Sequence, residues 1–406
     1  MSNKRSTKSE LGEPVDPTVA LQHAVLAVRR AWAGGVPDFA EWGSANVDPE
    51  PLIINDLNGD RLFYDFNVRL DERTIGVVRA SANKVVGSPV VSLQLGPHRW
   101  SVKDATLEAA KVVKQREARA DVNDTSLVCY CYPKIAIRVE AVSREAGPLS
   151  MLVDVADLKP IERFGADEEE GLSSYSFLDE VAVPEADLRR SRWEAAEGEL
   201  EASLKAAPTA VEQEGAKVDL ADLKHKLALK PYLEYISFYS WKTVRYAPRC
   251  NAPEVFRLYA QQTNVYCAVA TGQMILDFYK YHFDQHAIAA DMGTGPGGTS
   301  NTGQVNGYES LSNNGLDATY DNTAAWSEAK AEIDANRPLK SGIPGHARAC
   351  AGWKRQNITL IGRRPKRWLK IYDPWPWNAD ICNGGAVYWE DWDSVTHTNF
   401  IYVRHS

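Results

Sequence analysis

The chain is poor in cysteine. Six occur in 406 residues (Cys129, Cys131, Cys250, Cys267, Cys350 and Cys382), and no two form a C-x-x-C pair. The C-x-C of Cys129 and Cys131 lacks the usual spacing of zinc ligands, and no second pair follows it. Alternating side chains on a strand account better for "CYCYP". Nothing demands a disulfide framework, and a reducing compartment suits the scarcity. No run of 18 apolar residues exists, so no membrane-spanning helix is expected. The first residues, "MSNKRSTKSELGEPVDP", are basic but have no apolar core, and read as a polar tail and not a secretory signal. The expected location is the cytoplasm, or the outside by an export route without a conventional signal peptide. Positive charge is also short: 46 Lys and Arg against 54 Asp and Glu leave a net charge of -8, which speaks against nucleic acid as a partner. No internal repeat is evident. No cofactor and no metal are expected.

What is present fits a globular protein, with 44% hydrophobic and 25% charged residues. The length implies two or three domains. Residues 1–15 read as a disordered tail. Residues 16–160 read as an N-terminal α+β domain. Asp16 and Pro17 start a helix that Gly34 and Gly35 end. Asn58-Gly59 signals a hairpin, and Leu62, Tyr64, Phe66, Val68 and Leu70 then alternate with polar residues, predicting a strand with one buried face. "TIGVVRA", "PVVSLQLG" and "SLVCYCYPKIAIRVEAV" are further strands, and "DATLEAAKVVKQREA" is a helix capped by Asp104. Residues 161–235 are charged, and read as a solvated helical linker; the sharper reading is a segment that crosses or covers part of the chain after residue 235. Residues 236–406 hold eight of the twelve tryptophans, which suggests a well-built core or a cleft.

The chemistry concentrates in this last segment. In "QQTNVYCAVATGQMILDFY", Cys267 stands at the first turn of a mostly apolar helix. Free cysteine is often a small buried hydrophobe. At a helix start, however, unpaired N–H groups and the helix dipole favour a thiolate. A nucleophilic thiolate also needs a base and an orienting group. Of the five histidines in the segment, His282 and His286 lie past the far end of the helix, about 20 Å from its start. His405 is terminal, and His397 reads as a strand-end surface residue. His346, in "SGIPGHARACAGW", stands at a strand entrance. Asp373 ends the strand in "RWLKIYDPWPW", where a carboxylate can fix an imidazole tautomer. "WKRQNITLIGRRPKRWLKIYD" reads as a hairpin with a basic turn. A glutamine amide upstream of the cysteine, from Gln261 or Gln262, can serve as an oxyanion donor, worth about 3 kcal/mol. The glycine-rich stretch "DMGTGPGGTSNTGQVNGYESLSNNGLDA" lacks the ending of a phosphate-binding loop and reads as a flexible loop lining a cleft.

The ordered set resembles the papain-like cysteine peptidases, and most of all their compact bacterial C39-like branch. There Q-x-x-x-x-C before a small apolar helix, "GH" before a strand, and "YDP" recur; here they stand as "QQTNVYCAVATGQMILDFY", "GHARACAGW" and "KIYDP". The resemblance covers about residues 255–405. It implies a papain-like catalytic domain over 236–406, with a cysteine-bearing helix packed on an antiparallel sheet. By that resemblance Cys267 is the nucleophile, His346 the base and later acid, Asp373 the orienting residue and Gln261 or Gln262 the oxyanion donor, with Gln261 preferred for its spacing. The implied reaction is peptide hydrolysis through a thioester acyl-enzyme, on a peptide or protein substrate. Acyl transfer, as in transglutaminases, and an inactive papain-fold interaction protein are the alternatives. Residues 16–160 resemble the pro-domains of bacterial papain-like enzymes. This implies intramolecular inhibition and a precursor cut in the linker; a permanent accessory domain is the other reading.

Overall fold

The structure, a computed structural model, describes residues 13–143, 147–161, 170–171, 173–205, 239–246, 254–357 and 365–406. It mixes helices with antiparallel strands, and divides into two compact units. One comprises Met1–Pro97, Ser176–Tyr239 and Gln356–Lys366; the other comprises His98–Tyr175, Ser240–Arg355 and Arg367–Ser406. The division differs from the segments expected from sequence. Residues 98–160 fold into the same unit as the cysteine helix. They do so because their strands are tied to it by side chains such as Tyr132 and Lys134, whose partners are far away in sequence.

In the first unit, helix Pro17–Ala33 begins where Asp16 accepts from the Thr18 amide, and ends at Gly34. Strands Leu52–Asp56, Arg61–Leu70, Arg73–Ser81 and Val90–Leu95 form an antiparallel meander. Gly59, at φ +95°, closes the first hairpin as the Asn-Gly signal requires. The strand Arg61–Leu70 is not exposed on its polar face. Phe63 and Asp65 are buried along with Leu62, Tyr64 and Phe66, and Asp65 is held bidentately by Arg79 at 2.7 and 2.8 Å. Helix Ala186–Lys205 likewise departs from a solvated linker, since Trp193 is fully buried and the buried Arg189 donates to the Val86 carbonyl. Residues 162–169, 172 and 206–235 of the expected linker lie outside the described residues.

In the second unit, strands Ala120–Cys131, Lys134–Ser143 and Gly147–Asp154 form one antiparallel run, with helix Val102–Arg116 against it. That helix is capped by Ser101, not Asp104: the Ser101 hydroxyl, three residues upstream, accepts from the Asp104 amide and places Asp104 in the first turn. Cys129 and Cys131 lie on one strand, both buried.

Six further strands make the sheet that carries the site. Their order is Leu316–Asp321, Asn399–His405, Leu339–Ile343, His346–Gln356, Arg367–Asp373, Ala386–Asp391, and every neighbouring pair is antiparallel. The apolar run after Cys267 forms helix Cys267–Phe278, whose Val269, Met274, Ile275 and Leu276 pack with Leu339, Leu369, Ile371 and Phe400 of the sheet. Each such side chain contributes about 1.5–3 kcal/mol by leaving water. The glycine-rich stretch is not a flexible loop. Ser300 caps a helix, Asn301–Leu311, and Gly303 and Gly307 are small because Met292 packs directly over them. Strand Gly298–Thr299 precedes that helix.

Candidate active site

Cys267 is the first residue of its helix, and no side chain caps that end. The free amides and dipole of the first turn therefore face the thiol. His346 opens its strand directly after Gly345, which turns the chain at φ +66°. Asp373 closes the neighbouring antiparallel strand. The hairpin expected between the two is formed, although its turn, residues 358–364, lies outside the described residues. The tight pairing brings the histidine and the aspartate together at 2.7 Å, Nε2 to Oδ1. An ionised carboxylate only accepts, so Nε2 carries the proton. Nδ1 has no hydrogen-bond partner in oxygen or nitrogen, and is left for the Cys267 thiol, which interacts directly with the imidazole. All three side chains are fully buried.

The electrostatics follow from this placement. Burial pushes the Cys267 thiol up, but the hydrogen-bonding, positively charged imidazole of His346 and the Lys134 ammonium bring it below its ordinary value. Cys131 and Cys350, buried without an imidazole partner, are pushed up by burial to about 11 and about 12. The His346 imidazole is penalised by burial and yet raised overall by the charge and hydrogen bond of Asp373. Burial also penalises the Asp373 carboxylate, and the charges of His346 and Arg348 hold it below the usual range. The site therefore favours a thiolate–imidazolium pair, the state in which sulfur is nucleophilic.

Asp373 is held from every side. Its Oδ1 also accepts from the Trp375 amide at 2.9 Å, and its Oδ2 from the Tyr388 hydroxyl at 2.7 Å. Tyr388 in turn accepts from Arg348, whose Nη1 lies 2.6 Å from Glu390, and Glu390 accepts from Tyr132. This buried network was missed in the sequence. A signal existed: Arg348 lies two residues after His346 on one strand, and Glu390 two after Tyr388 on another, so each pair shares a face. Charged residues inside apolar strands at that spacing point to buried partners.

The two glutamines separate. Gln261 is buried; its amide donates to the Pro374 carbonyl at 3.0 Å, beside Asp373, and its Nε2 donates to the Thr263 carbonyl at 2.6 Å. Gln262 is half-buried and its Nε2 reaches the Ala379 carbonyl at 3.2 Å. The other histidines take no part in the pair. His397 is not on the surface: its ring is buried, stacked 4.2 Å from Trp392, and forced neutral by burial and the Arg348 charge. His282 pairs with Asp277 at 2.5 Å. His286 is nearer the helix start than the rise along the helix implied, since the chain reverses at Lys280 and brings His286 Nδ1 to 3.3 Å from the Tyr266 hydroxyl; it is exposed. Among the described residues no group of three His, Cys, Asp or Glu side chains is arranged to hold a metal. No helix among them is long and apolar enough to cross a membrane.

With this geometry in view, similarity to known proteins is informative. Residues 254–395 match the family model of the Peptidase C39 like family. Two solved structures are similar over 37% of this chain. One is a double glycine motif protease from an AMS/PCAT transporter in complex with the leader peptide, at 15% identity, with 91% of that chain covered and a TM-score of 0.26. The other is the peptidase domain of Streptococcus ComA, a bi-functional ABC transporter involved in a quorum sensing pathway, at 15% identity, 99% coverage and a TM-score of 0.27. No curated protein matches. The family match points to peptidase chemistry in the segment that holds the buried cysteine and histidine. Within residues 254–395 this chain is thus similar to the Peptidase C39 like family, in agreement with the resemblance to C39-like peptidases carried by its sequence motifs.

Proposed function

We propose that the protein is a cysteine peptidase that cleaves peptide bonds through a thioester acyl-enzyme, with Cys267, His346 and Asp373 as its triad. The observation that carries this reading is the alignment of the imidazole. Nε2 is committed to Asp373, so Nδ1 is presented for the thiol, and the Cys267 thiol is pulled down while buried Cys131 and Cys350 are pushed up. In the reaction the thiolate adds to the peptide carbonyl. The tetrahedral oxyanion is met by the Cys267 amide at the helix start and by Gln261, the glutamine beside Asp373. His346 then protonates the leaving amine from Nδ1, and the C–N bond breaks to leave the thioester. Water, deprotonated by the same nitrogen, releases the acid and frees the thiolate.

The full burial of both Cys267 and His346 supports a precursor that is closed to substrate until covering chain moves. Residues 98–160, part of the segment whose resemblance suggested an inhibitory role, fold in the same unit as the site, which supports that reading. An amine in place of water would make the same triad an acyltransferase, and no observation favours that acceptor.

Incubation of the full-length protein and its Cys267→Ala variant with a peptide library tests the reading. Cleavage by the first and none by the second is expected, with a chain-shortened form appearing only in the first if the precursor processes itself. Equal cleavage by both, or none by either after the chain is cut between residues 161 and 235, overturns it.

A further inference from the structure

A two-residue strand, Glu170–Gly171, lies against the cysteine helix and pairs antiparallel with Gly298–Thr299, Gly298 opposite Gly171 and Thr299 opposite Glu170. Ser173, just beyond it, abuts Gly345, the residue before His346. The described residues of this stretch therefore lie against the helix that Cys267 opens and against the glycine that precedes His346. The fit is tight: a Cβ on Gly171 would meet the Gly297 carbonyl at 2.5 Å, so an extended chain here needs glycine at that position.

The residue before the glycine is recognised by charge. The Glu170 carboxylate is buried and lies 2.5 Å from Lys340 Nζ. The same carboxylate accepts from Gln304 at 3.0 Å and from Asn399 at 3.4 Å. Lys340 is fully buried on the strand Leu339–Ile343, and its other partners are the neutral oxygens of Asn301 and Asn399. Burying such a pair is poor value as stability, because desolvation offsets most of the attraction; its attested use is to specify one partner. Removing Glu170 would leave Lys340 buried without the carboxylate that offsets its desolvation, a place that another carboxylate can fill. A cavity of about 590 Å³ continues from this point, bounded by Glu170, Asn301, Ile343, Gly345, Thr398 and Asn399.

We propose that Glu170–Gly171 is an internal ligand in the peptide-binding groove, and that Lys340 determines specificity there by selecting a glutamate side chain directly before a glycine. The partner that replaces the internal strand is an extended acidic peptide, which pairs with Gly298–Thr299 through its backbone. The proposal rests on the peptidase reading only for what happens after binding.

Alkylation of Cys267 by iodoacetamide in the full-length protein, followed by mass spectrometry, tests occupancy and selectivity without requiring catalysis. Buried Cys350 serves as the internal control for unfolding. Wild type is expected to label slowly. Glu170→Lys is expected to label Cys267 at least tenfold faster with Cys350 still silent, and the charge swap Glu170→Lys with Lys340→Glu to return to slow labelling. A blocked peptide containing Glu-Gly should slow labelling of Glu170→Lys, and the same peptide with Gln-Gly should not. Unchanged labelling in Glu170→Lys, or equal protection by the two peptides, overturns the proposal. Should Glu170→Lys expose Cys350, the near-isosteric Glu170→Gln decides, with several-fold faster Cys267 labelling expected and none overturning the idea. Failure of the peptidase reading alone shows differently: labelling and protection behave as stated while no peptide is cut.

Discussion

At the scale of single residues, the imidazole of His346 owes its charge to Asp373. Asp373→Asn keeps an acceptor for Nε2 but removes the negative charge, so burial is left to depress His346. The thiolate–imidazolium pair is lost as pH rises through the raised His346 value, and this variant should move that alkaline limb to lower pH, measured as the pH profile of peptide cleavage. An unmoved limb would show that Asp373 does not set the imidazole's charge. Arg348 illustrates a different cost. Arg348→Met leaves Glu390 buried with Tyr132 as its remaining donor, and should destabilise the fold by about 3–5 kcal/mol in denaturant titration. The double change Arg348→Met with Glu390→Leu should lose less than the single one, since no uncompensated charge remains. Cys267, His346 and Asp373 were legible one by one, because a helix start and two strand ends are local features. Arg348 and Glu390 were not singled out, although their same-face spacing was in plain view.

Secondary-structure elements explain how those residues meet. The hairpin of His346–Gln356 and Arg367–Asp373 could be read from two apolar runs around a basic turn, and antiparallel pairing did the rest. The glycine-rich stretch misled because glycine marks both loops and close packing. Here Gly303 and Gly307 admit Met292, and Ser300 supplies the cap that starts the helix. Gly298 is required for a backbone reason: it sits at φ +133°, and a Cβ there would overlap the Glu170 carbonyl. Gly298→Ala should therefore break the pairing with Glu170–Gly171, lower stability by about 1–3 kcal/mol, and speed Cys267 alkylation. Retention of wild-type stability and labelling would show that this short pairing does not hold the cover in place. The cap of helix Val102–Arg116 was misplaced by three residues because Asp104 and Ser101 are both good caps, and only the observed hydrogen bond tells them apart.

On the scale of the whole molecule, the two units have separate electrostatic weak points. In the first, buried His23 packs edge-on to Trp193 at 5.7 Å, and burial with the Lys366 charge depresses its pKa to about 3. The unfolded chain takes up this proton near pH 6.5. Stability is thus full above that pH and falls as pH drops toward 3. Urea unfolding followed by tryptophan fluorescence should show a fall between pH 7 and pH 4 that is smaller in His23→Gln; an equal fall in both would remove His23 as the cause. In the second unit the chain joins partners 170 positions apart, Glu170 and Lys340. The sequence by itself determined the candidate triad, its order and the peptidase chemistry it implies. The residues and their order rest on hydrophobic period, helix ends and turn residues, which act within a few positions along the chain, and the peptidase chemistry is what their resemblance to C39-like peptidases implies. Only the tertiary structure decided that residues 98–160 fold with the cysteine helix, that His397 is buried and neutral, and that Glu170 meets Lys340 beside a covered thiol. Each of these is a meeting of distant segments, set by sheet order and by the need to partner every buried charge, which no local pattern records.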